Sequence, residues 1–148
     1  MNTYYIIMSA MAVMAVIVFV ALFFFKAGYG YLSTSNWGPK ISNKVAWVLM
    51  ECPVFIAMAI LWWMSPARFE AAPLALFAIF QLHYFQRSFI FPLLMRGNSK
   101  MPLGIVLMGM TFNTLNALMQ GGWIFFLAPE NYYADWFSRP FIYIGIAI

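Results

Sequence analysis

The chain has 148 residues, 65% of them hydrophobic, and its eight Lys and Arg against four Asp and Glu give a net charge of +4. Long apolar runs separated by short polar segments are typical of multi-pass membrane proteins and exclude an ordinary soluble domain. The basic residues are scattered, which excludes a nucleic-acid-binding face, and a single cysteine excludes an internal disulfide and a cysteine-rich metal site.

Four apolar runs, at about residues 4–25, 45–64, 71–95 and 103–127, predict complete membrane helices, because a helix crosses the hydrocarbon core in roughly 20 residues. The first run could be a signal peptide. It has no preceding basic residue and no small-residue cleavage site, so we interpret it as a retained helix. A fifth run, residues 140–148, is too short to cross a bilayer. We therefore expect an all-α, polytopic transmembrane helix bundle with four full spans and the start of a fifth, forming one domain truncated from a longer protein.

The loop charges predict the orientation, since short cytoplasmic loops are enriched in Lys and Arg. The first and third loops hold most of the basic residues: Lys26, Lys40, Lys44, Arg96 and Lys100. The other loops hold Arg68, Arg139, Glu70, Glu130 and Asp135. We expect the first and third loops in the cytoplasm and the N-terminus outside it. The first loop, rich in Gly, Ser and Asn, is either a plain connector or a segment that orders against a partner domain or cofactor.

The second run, "VAWVLMECPVFIAMAILWW", contains the ionisable residue Glu51. A charge inside a bilayer is costly, so such a residue is a functional hypothesis by default. Pro53 follows, and its missing N–H frees a helix carbonyl and can kink the helix. Cys52 has no basic neighbour in sequence to activate its thiol, and we interpret it as a small core residue.

The third run contains "FQLHYFQRSFIF", in which helical spacing places His83, Tyr84 and Arg87 on much of one surface. A buried guanidinium requires an anion or water. Each residue also has a structural explanation: Arg87 paired with Glu51, Tyr84 hydrogen-bonded at a helix interface, and His83 satisfied in the core.

The fourth run carries three amides at spacings of three and four, on one predicted stripe: Asn113, Asn116 and Gln120. Alone, such a stripe bridges membrane helices. Together with the polar residues of the second and third runs, it predicts a polar cavity inside the bundle.

The chemistry of such a cavity is limited. The sequence has no second histidine, no Cys-x-x-Cys pair, no glycine-rich phosphate loop and no Ser–His–Asp set, so metal hydrolysis, Rossmann-type binding and serine hydrolysis are unsupported. A protonated Glu51 beside Tyr84 could polarise a carbonyl oxygen and donate a proton to it. This pair is suited to the reduction of an enone.

Three segments, "AWVLMECPVF", "LHYFQRSFIFPLLMRG" and "GMTFNTLNALMQGGW", resemble the N-terminal half of the steroid 5α-reductase family, the 3-oxo-5α-steroid 4-dehydrogenases. The resemblance covers the chain from about Tyr29 to its end. It implies a seven-helix membrane enzyme that reduces a Δ4 double bond with NADPH. The cofactor-binding segments are expected mostly in a C-terminal half beyond this chain, which would then be inactive alone.

The resemblance places the family's catalytic glutamate on Glu51 and its catalytic tyrosine on Tyr84, which hold the substrate 3-oxo group. It further implies that Arg87, Asn116 and Gln120 line or brace the site. Gln86 and Met108 depart from the pattern of some members. Two alternatives therefore stay open: a reductase of enoyl thioesters or polyprenol-type lipids in the same superfamily, and a non-catalytic helical membrane protein.

Overall fold

The computed structural model describes residues 2–24 and 37–147. The helices in chain order are α1 (Asn2–Phe24), α2 (Asn43–Met64), α3 (Ala71–Phe85), α4 (Phe91–Leu94), α5 (Leu103–Gly122) and α6 (Pro140–Ala147). A first π-turn (Gln86–Ile90) joins α3 to α4, a second π-turn (Trp123–Leu127) continues α5, and a 3₁₀ turn spans Trp136–Ser138. The helical segments 71–94 and 103–127 match the third and fourth predicted runs closely. Residues 25–36, in the predicted first loop, lie outside the described residues.

The predominantly helical prediction is confirmed, and α1 and α2 are each long and apolar enough to cross a membrane. The all-α prediction is wrong in detail. Two short strands, β1 (Lys40–Ser42) and β2 (Lys100–Pro102), pair antiparallel, with Ile41 opposite Met101. Strands of three residues are too short to show an alternating hydrophobic pattern. Their pairing brings the first and third loops together at one end of the bundle.

The paired loops also complete the helix starts beside them. The first N–H groups of a helix have no partner within it, and the start of α2 has no side-chain cap. Instead, the Asn43 N–H donates to the carbonyl of Ser99 (3.0 Å), and the Gly104 N–H donates to the carbonyl of Trp37 (2.9 Å). A Cβ at position 104 would lie 2.9 Å from that carbonyl oxygen, so glycine permits the close approach.

The core is the interface between α2 and α5, the most extensive helix contact in the fold. Each helix presents a row of residues four apart, and such rows interlock when helices pack. The α2 row is Ala46, Met50, Val54 and Met58, and the α5 row is Gly109, Asn113, Ala117 and Gly121. A Cβ at position 109 would lie 2.7 Å from Met50 Sδ, and one at position 121 would lie 2.6 Å from Leu61 Cδ1. The two glycines therefore set the close helix spacing.

Helix α1 contrasts with this core because nearly all of its described side chains are exposed. It contacts the second π-turn through Tyr4, whose ring stacks on Trp123 at 5.7 Å between centroids. The Tyr4 hydroxyl also donates to the carbonyl of Met119 at 3.2 Å. An apolar helix with so little burial in protein is suited to contact with lipid. Cys52, predicted in the core, is only half-buried on α2.

Candidate active site

Glu51 and Arg87 form an ion pair between α2 and the first π-turn. Arg87 Nε lies 2.9 Å from Glu51 Oε2, and the two side chains are 43% and 4% exposed. Oε2 is buried and accepts no well-directed hydrogen bond from the residues that the structure describes. The contact is thus an electrostatic pairing of poor hydrogen-bond geometry. It confirms the structural explanation that pairs Arg87 with Glu51, and in this pairing Glu51 serves as a carboxylate.

Arg87 is further held by an aromatic contact that sequence reasoning missed. Its guanidinium lies 5.3 Å from the centre of the Trp47 ring, within the range of a cation–π interaction. Trp47 is one turn before Glu51 on α2, so both contacts come from one helix face. The Trp47 ring in turn meets Phe91 edge to face, at 5.2 Å between centroids. The four-residue spacing of Trp47 and Glu51 was the available sequence signal.

Tyr84 is the end of a hydrogen-bonded chain that begins on α5. Gln120 Nε2 donates to Asn116 Oδ1 (2.8 Å), and Asn116 Nδ2 donates to the Tyr84 hydroxyl (3.2 Å). Tyr84 and Asn116 are half-buried, whereas Gln120 is exposed. Tyr84 lies three residues before Arg87, the residue that pairs with Glu51. The structure therefore brings predicted residues of all three helices into one region.

Asn113 occupies a different face of α5 from the other two amides. It is buried, and its Nδ2 donates to the carbonyl of Met50 at 2.7 Å. Met50 immediately precedes Glu51 in α2. Asn113 thus tethers α5 to α2 beside the acidic residue. The predicted single stripe of amides divides between two neighbours, α2 and α3.

The first π-turn changes how residues after Phe85 are arranged. Each residue of a π-turn winds through a smaller angle than in an α-helix, so an i,i+4 surface is not preserved across it. His83 is exposed, and its ring packs edge to face on Tyr84 at 5.1 Å between centroids, while Arg87 points to α2. The structural explanation that satisfies His83 in the core is wrong, because the side chain is exposed. Its place in the substrate pocket stays a prediction.

Two other polar residues of this region were not predicted. Gln81 Nε2 donates to the carbonyl of Phe55 on α2 at 3.3 Å, and Ser88 is fully buried within the first π-turn. Within residues 2–24 and 37–147, Gln81 Oε1 and Ser88 Oγ are buried without a hydrogen-bond partner. Gln81 could have been found because an amide lies on an otherwise apolar helix. Ser88 gave no signal, because small hydroxyl residues are common in membrane helices.

A cavity of about 540 Å³ lies at the opposite end of the bundle from β1 and β2. Its walls include Glu70 before α3, Phe125 in the second π-turn, and Tyr133 in the segment that follows. Burial, together with the neighbouring Tyr132 and Glu70, raises the pKa of Tyr133 to about 12. This cavity is separate from the region around Glu51 and Tyr84.

Comparison with curated proteins gives several relatives. The chain is 30% identical to "Steroid 5-alpha-reductase DET2" of Arabidopsis thaliana over 87% of its length and 51% of the relative's. The protein of the same name from Solanum lycopersicum is 32% identical, over 99% of this chain and 58% of the relative. "3-oxo-5-alpha-steroid 4-dehydrogenase 1" of Mus musculus is 30% identical, over 91% and 53%. The chain spans about half the length of these relatives, and no protein-family model matches it.

Proposed function

We propose that this chain, which belongs to the steroid 5α-reductase family, supplies the carbonyl-binding part of a membrane reductase acting on a 3-oxo-Δ4 steroid or a similar flat enone lipid. The observation that carries the proposal is the Tyr84 hydroxyl, which accepts a hydrogen bond from Asn116 beside the buried Glu51–Arg87 pair. Its relatives are named as a steroid 5-alpha-reductase and a 3-oxo-5-alpha-steroid 4-dehydrogenase.

Tyr84 is proposed as the hydrogen-bond donor to the substrate carbonyl oxygen. Reduction of the conjugated double bond moves negative charge onto that oxygen, and a donor fixed near it lowers the barrier. Because the Tyr84 oxygen accepts from Asn116, its own O–H is free to donate. The phenol can then pass its proton to the developing enolate, and solvent can restore it.

Glu51 remains a predicted catalytic residue, with a role that the ion pair narrows. A carboxylate paired with Arg87 accepts hydrogen bonds and donates none. Sharing a proton with Tyr84 at the carbonyl would therefore require Arg87, whose side chain is 43% exposed, to move aside when substrate binds. Without that movement, Glu51 and Arg87 position the helical turn that carries Tyr84.

The cofactor expected from the family is NADPH, which supplies a hydride when bound. The described residues do not form a complete site for it. Within residues 37–147 the basic side chains beside the β1–β2 end are Lys40, Lys44, Arg96 and Lys100, and all are exposed rather than built into a phosphate cradle. We propose that the remaining cofactor contacts come from the half of the family's length that this chain does not span. We also propose that this chain alone is inactive.

The membrane arrangement is part of the proposal. The β1–β2 pairing and the cavity at the other end support an up-and-down bundle in which the loops alternate between two ends. With the more basic loops in the cytoplasm, the N-terminus is extracytoplasmic. We propose that α1, which is exposed along most of its described length, faces lipid, and that α1 and α2 cross the membrane as parts of a multi-pass bundle.

A reduction assay tests the activity. The complete gene product in detergent is supplied with NADPH and, separately, with a 3-oxo-Δ4 steroid and an enoyl thioester, and products are identified by the mass of two added hydrogens. Steroid reduction supports the proposal. Reduction of the thioester alone would indicate the alternative activity in the same superfamily. No reduction of either substrate would indicate a non-catalytic membrane protein.

A variant pair assigns the chemistry. Tyr84→Phe should lower kcat/KM by ~10²–10³-fold with an unchanged melting temperature, the usual loss for one oxyanion donor. Tyr132→Phe, in the segment after α5, is the matched control and should keep wild-type kinetics.

Glu51→Gln should fold and lose most turnover if Glu51 supplies a proton. Near-normal kcat in this variant would leave Tyr84 as the donor and Glu51 as a positioning residue.

A further inference from the structure

The hydrogen bonds from Gln120 to Tyr84 run in one direction. Gln120 donates to Asn116, and Asn116 donates to Tyr84, at 2.8 and 3.2 Å. A side-chain amide has a donating nitrogen and an accepting oxygen, so fixing one end of Asn116 fixes the other. When Asn116 Oδ1 accepts from Gln120, its nitrogen must face Tyr84.

We propose that Gln120 and Asn116 are positioning residues that set the direction of this chain and so keep the Tyr84 hydroxyl as a hydrogen-bond donor toward substrate. The proposal rests on the function assigned to Tyr84 above. The reversed chain is the competing state: Tyr84 would donate to Asn116, and its proton would be unavailable to a carbonyl oxygen.

The direction of the hydrogen bond between Asn116 and Tyr84 matters because of what surrounds these two side chains. Tyr84 and Asn116 are half-buried on neighbouring helices, where little water competes for their polar atoms. Phe80 packs against the Tyr84 ring at 4.5 Å between centroids, which limits rotation of the ring. Asn113, the third amide of α5, is already committed to the Met50 carbonyl and takes no part.

Gln120→Glu is the sharpest test, because it keeps the side-chain size and reverses the donor. A carboxylate accepts hydrogen bonds only, so Asn116 must turn its nitrogen toward it and present its oxygen to Tyr84. We expect kcat/KM at neutral pH to fall toward the ~10²-fold loss of a missing oxyanion donor. Activity should recover as pH falls below about 5, where the introduced carboxyl gains a proton and can donate again.

Other titrating groups near the chain must be separated from this effect. His83 of α3 packs on the Tyr84 ring, Tyr4 of α1 lies beside Met119, and Glu51 of α2 faces Arg87. The profile of Gln120→Glu is therefore compared with wild type and repeated with His83→Gln. An acid recovery that persists without the histidine belongs to the introduced carboxyl, and one that disappears with it contradicts the proposal.

Two substitutions at Asn116 give a second test. A role in hydrogen-bond direction and a role in filling space predict opposite orders for their loss of kcat. Asn116→Asp is nearly isosteric but can only accept from Tyr84, whereas Asn116→Leu removes the partner and leaves the hydroxyl free to rotate. If direction matters, Asp lowers kcat more than Leu does. If Asn116 only fills space, Leu is the more harmful substitution, and the proposal is overturned.

A readout without turnover separates this inference from the proposed function. Isotope-labelled tyrosine Cζ, assigned to Tyr84 by loss of its signal in Tyr84→Phe, reports in NMR whether the hydroxyl donates or accepts. Its signal should shift in Gln120→Glu and much less in Gln120→Met, which removes the donor without reversing it. If the signal shifts but the protein reduces no enone, the proposed function is wrong, while the assigned direction of the hydrogen bonds stands. An unchanged signal with wild-type kinetics in Gln120→Glu would sink the inference alone.

Discussion

Helix α2 uses two faces for two different interfaces. Toward α5 it is closely packed, with buried small and aliphatic residues, and its deep polar contact, from Asn113 to the Met50 carbonyl, is short. Toward α3 it carries the Glu51–Arg87 pair. In the part of the chain that the structure describes, the buried side-chain atoms without a hydrogen-bond partner all lie on this second side: Glu51 Oε2, Gln81 Oε1 and Ser88 Oγ.

This difference separates the scaffold from the candidate site. Glu51 Oε2 is paired with Arg87, whereas Gln81 Oε1 and Ser88 Oγ have no partner among the described residues. A buried polar atom without a partner costs stability, so this interface is not arranged for stability alone. We infer that the α2–α5 face holds the geometry while the α2–α3 face is available for substrate.

The largest expected effect follows from breaking the ion pair. Arg87→Leu leaves the Glu51 carboxylate buried and unpaired, which costs ~3–5 kcal/mol in fully buried pairs. We expect the lower end of that range because Arg87 is partly exposed. The melting temperature in detergent measures the loss.

The double variant Glu51→Gln/Arg87→Leu is the control for this prediction. It removes both charges, so it should recover much of the lost stability although it departs further from the natural sequence. A double variant that melts below Arg87→Leu would show that the pair contributes through packing on Trp47 rather than through charge.

The sequence predicted the helices well because apolar runs of membrane length are a strong signal. It offered the pairing of Glu51 with Arg87 only as a structural explanation, and the structure contains that pair. It could not predict the first π-turn, since a change in helical winding leaves no periodic pattern. The split of the amides also depended on tertiary packing: Asn113 and Asn116 are three residues apart, yet each is used by a different neighbouring helix.

A smaller loss is expected from the polar contact of the scaffold face. Asn113→Leu removes a hydrogen bond to the Met50 carbonyl, which keeps its partner in the α2 ladder. The expected loss is therefore that of one buried hydrogen bond, ~0.5–1.5 kcal/mol. Thr114→Val is the matched control, because Thr114 donates only to Met110 within its own helix. If both variants melt alike, the α2–α5 face does not depend on Asn113, and the division between a tethered scaffold and a loose site weakens.

Adjacent glycines at the end of α5 test the close packing of the same face. A Cβ at position 121 would lie 2.6 Å from Leu61 Cδ1, whereas one at position 122 would meet nothing within 4 Å. Alanine favours a helix over glycine at both positions by ~0.5–1 kcal/mol. Gly121→Ala must also displace Leu61 and Met58, so it should melt lower than Gly122→Ala by ~1 kcal/mol. Equal melting would show that the two helices have room to separate.

The smallest effect concerns Tyr133, beside the cavity at the far end of the bundle. Its pKa is raised to about 12 by burial, with Tyr132 and Glu70 adding to the shift, while an unfolded tyrosine titrates near 10. Between about pH 10 and 12 the unfolded chain loses this proton first, so the contribution is complete below pH 10 and is lost as pH rises through 12. Discounted for partial exposure, the loss is ~1 kcal/mol. Tyr133→Phe should therefore show a shallower fall in melting temperature over this range than wild type. Parallel curves for the two proteins would show that Tyr133 is not buried beside this cavity.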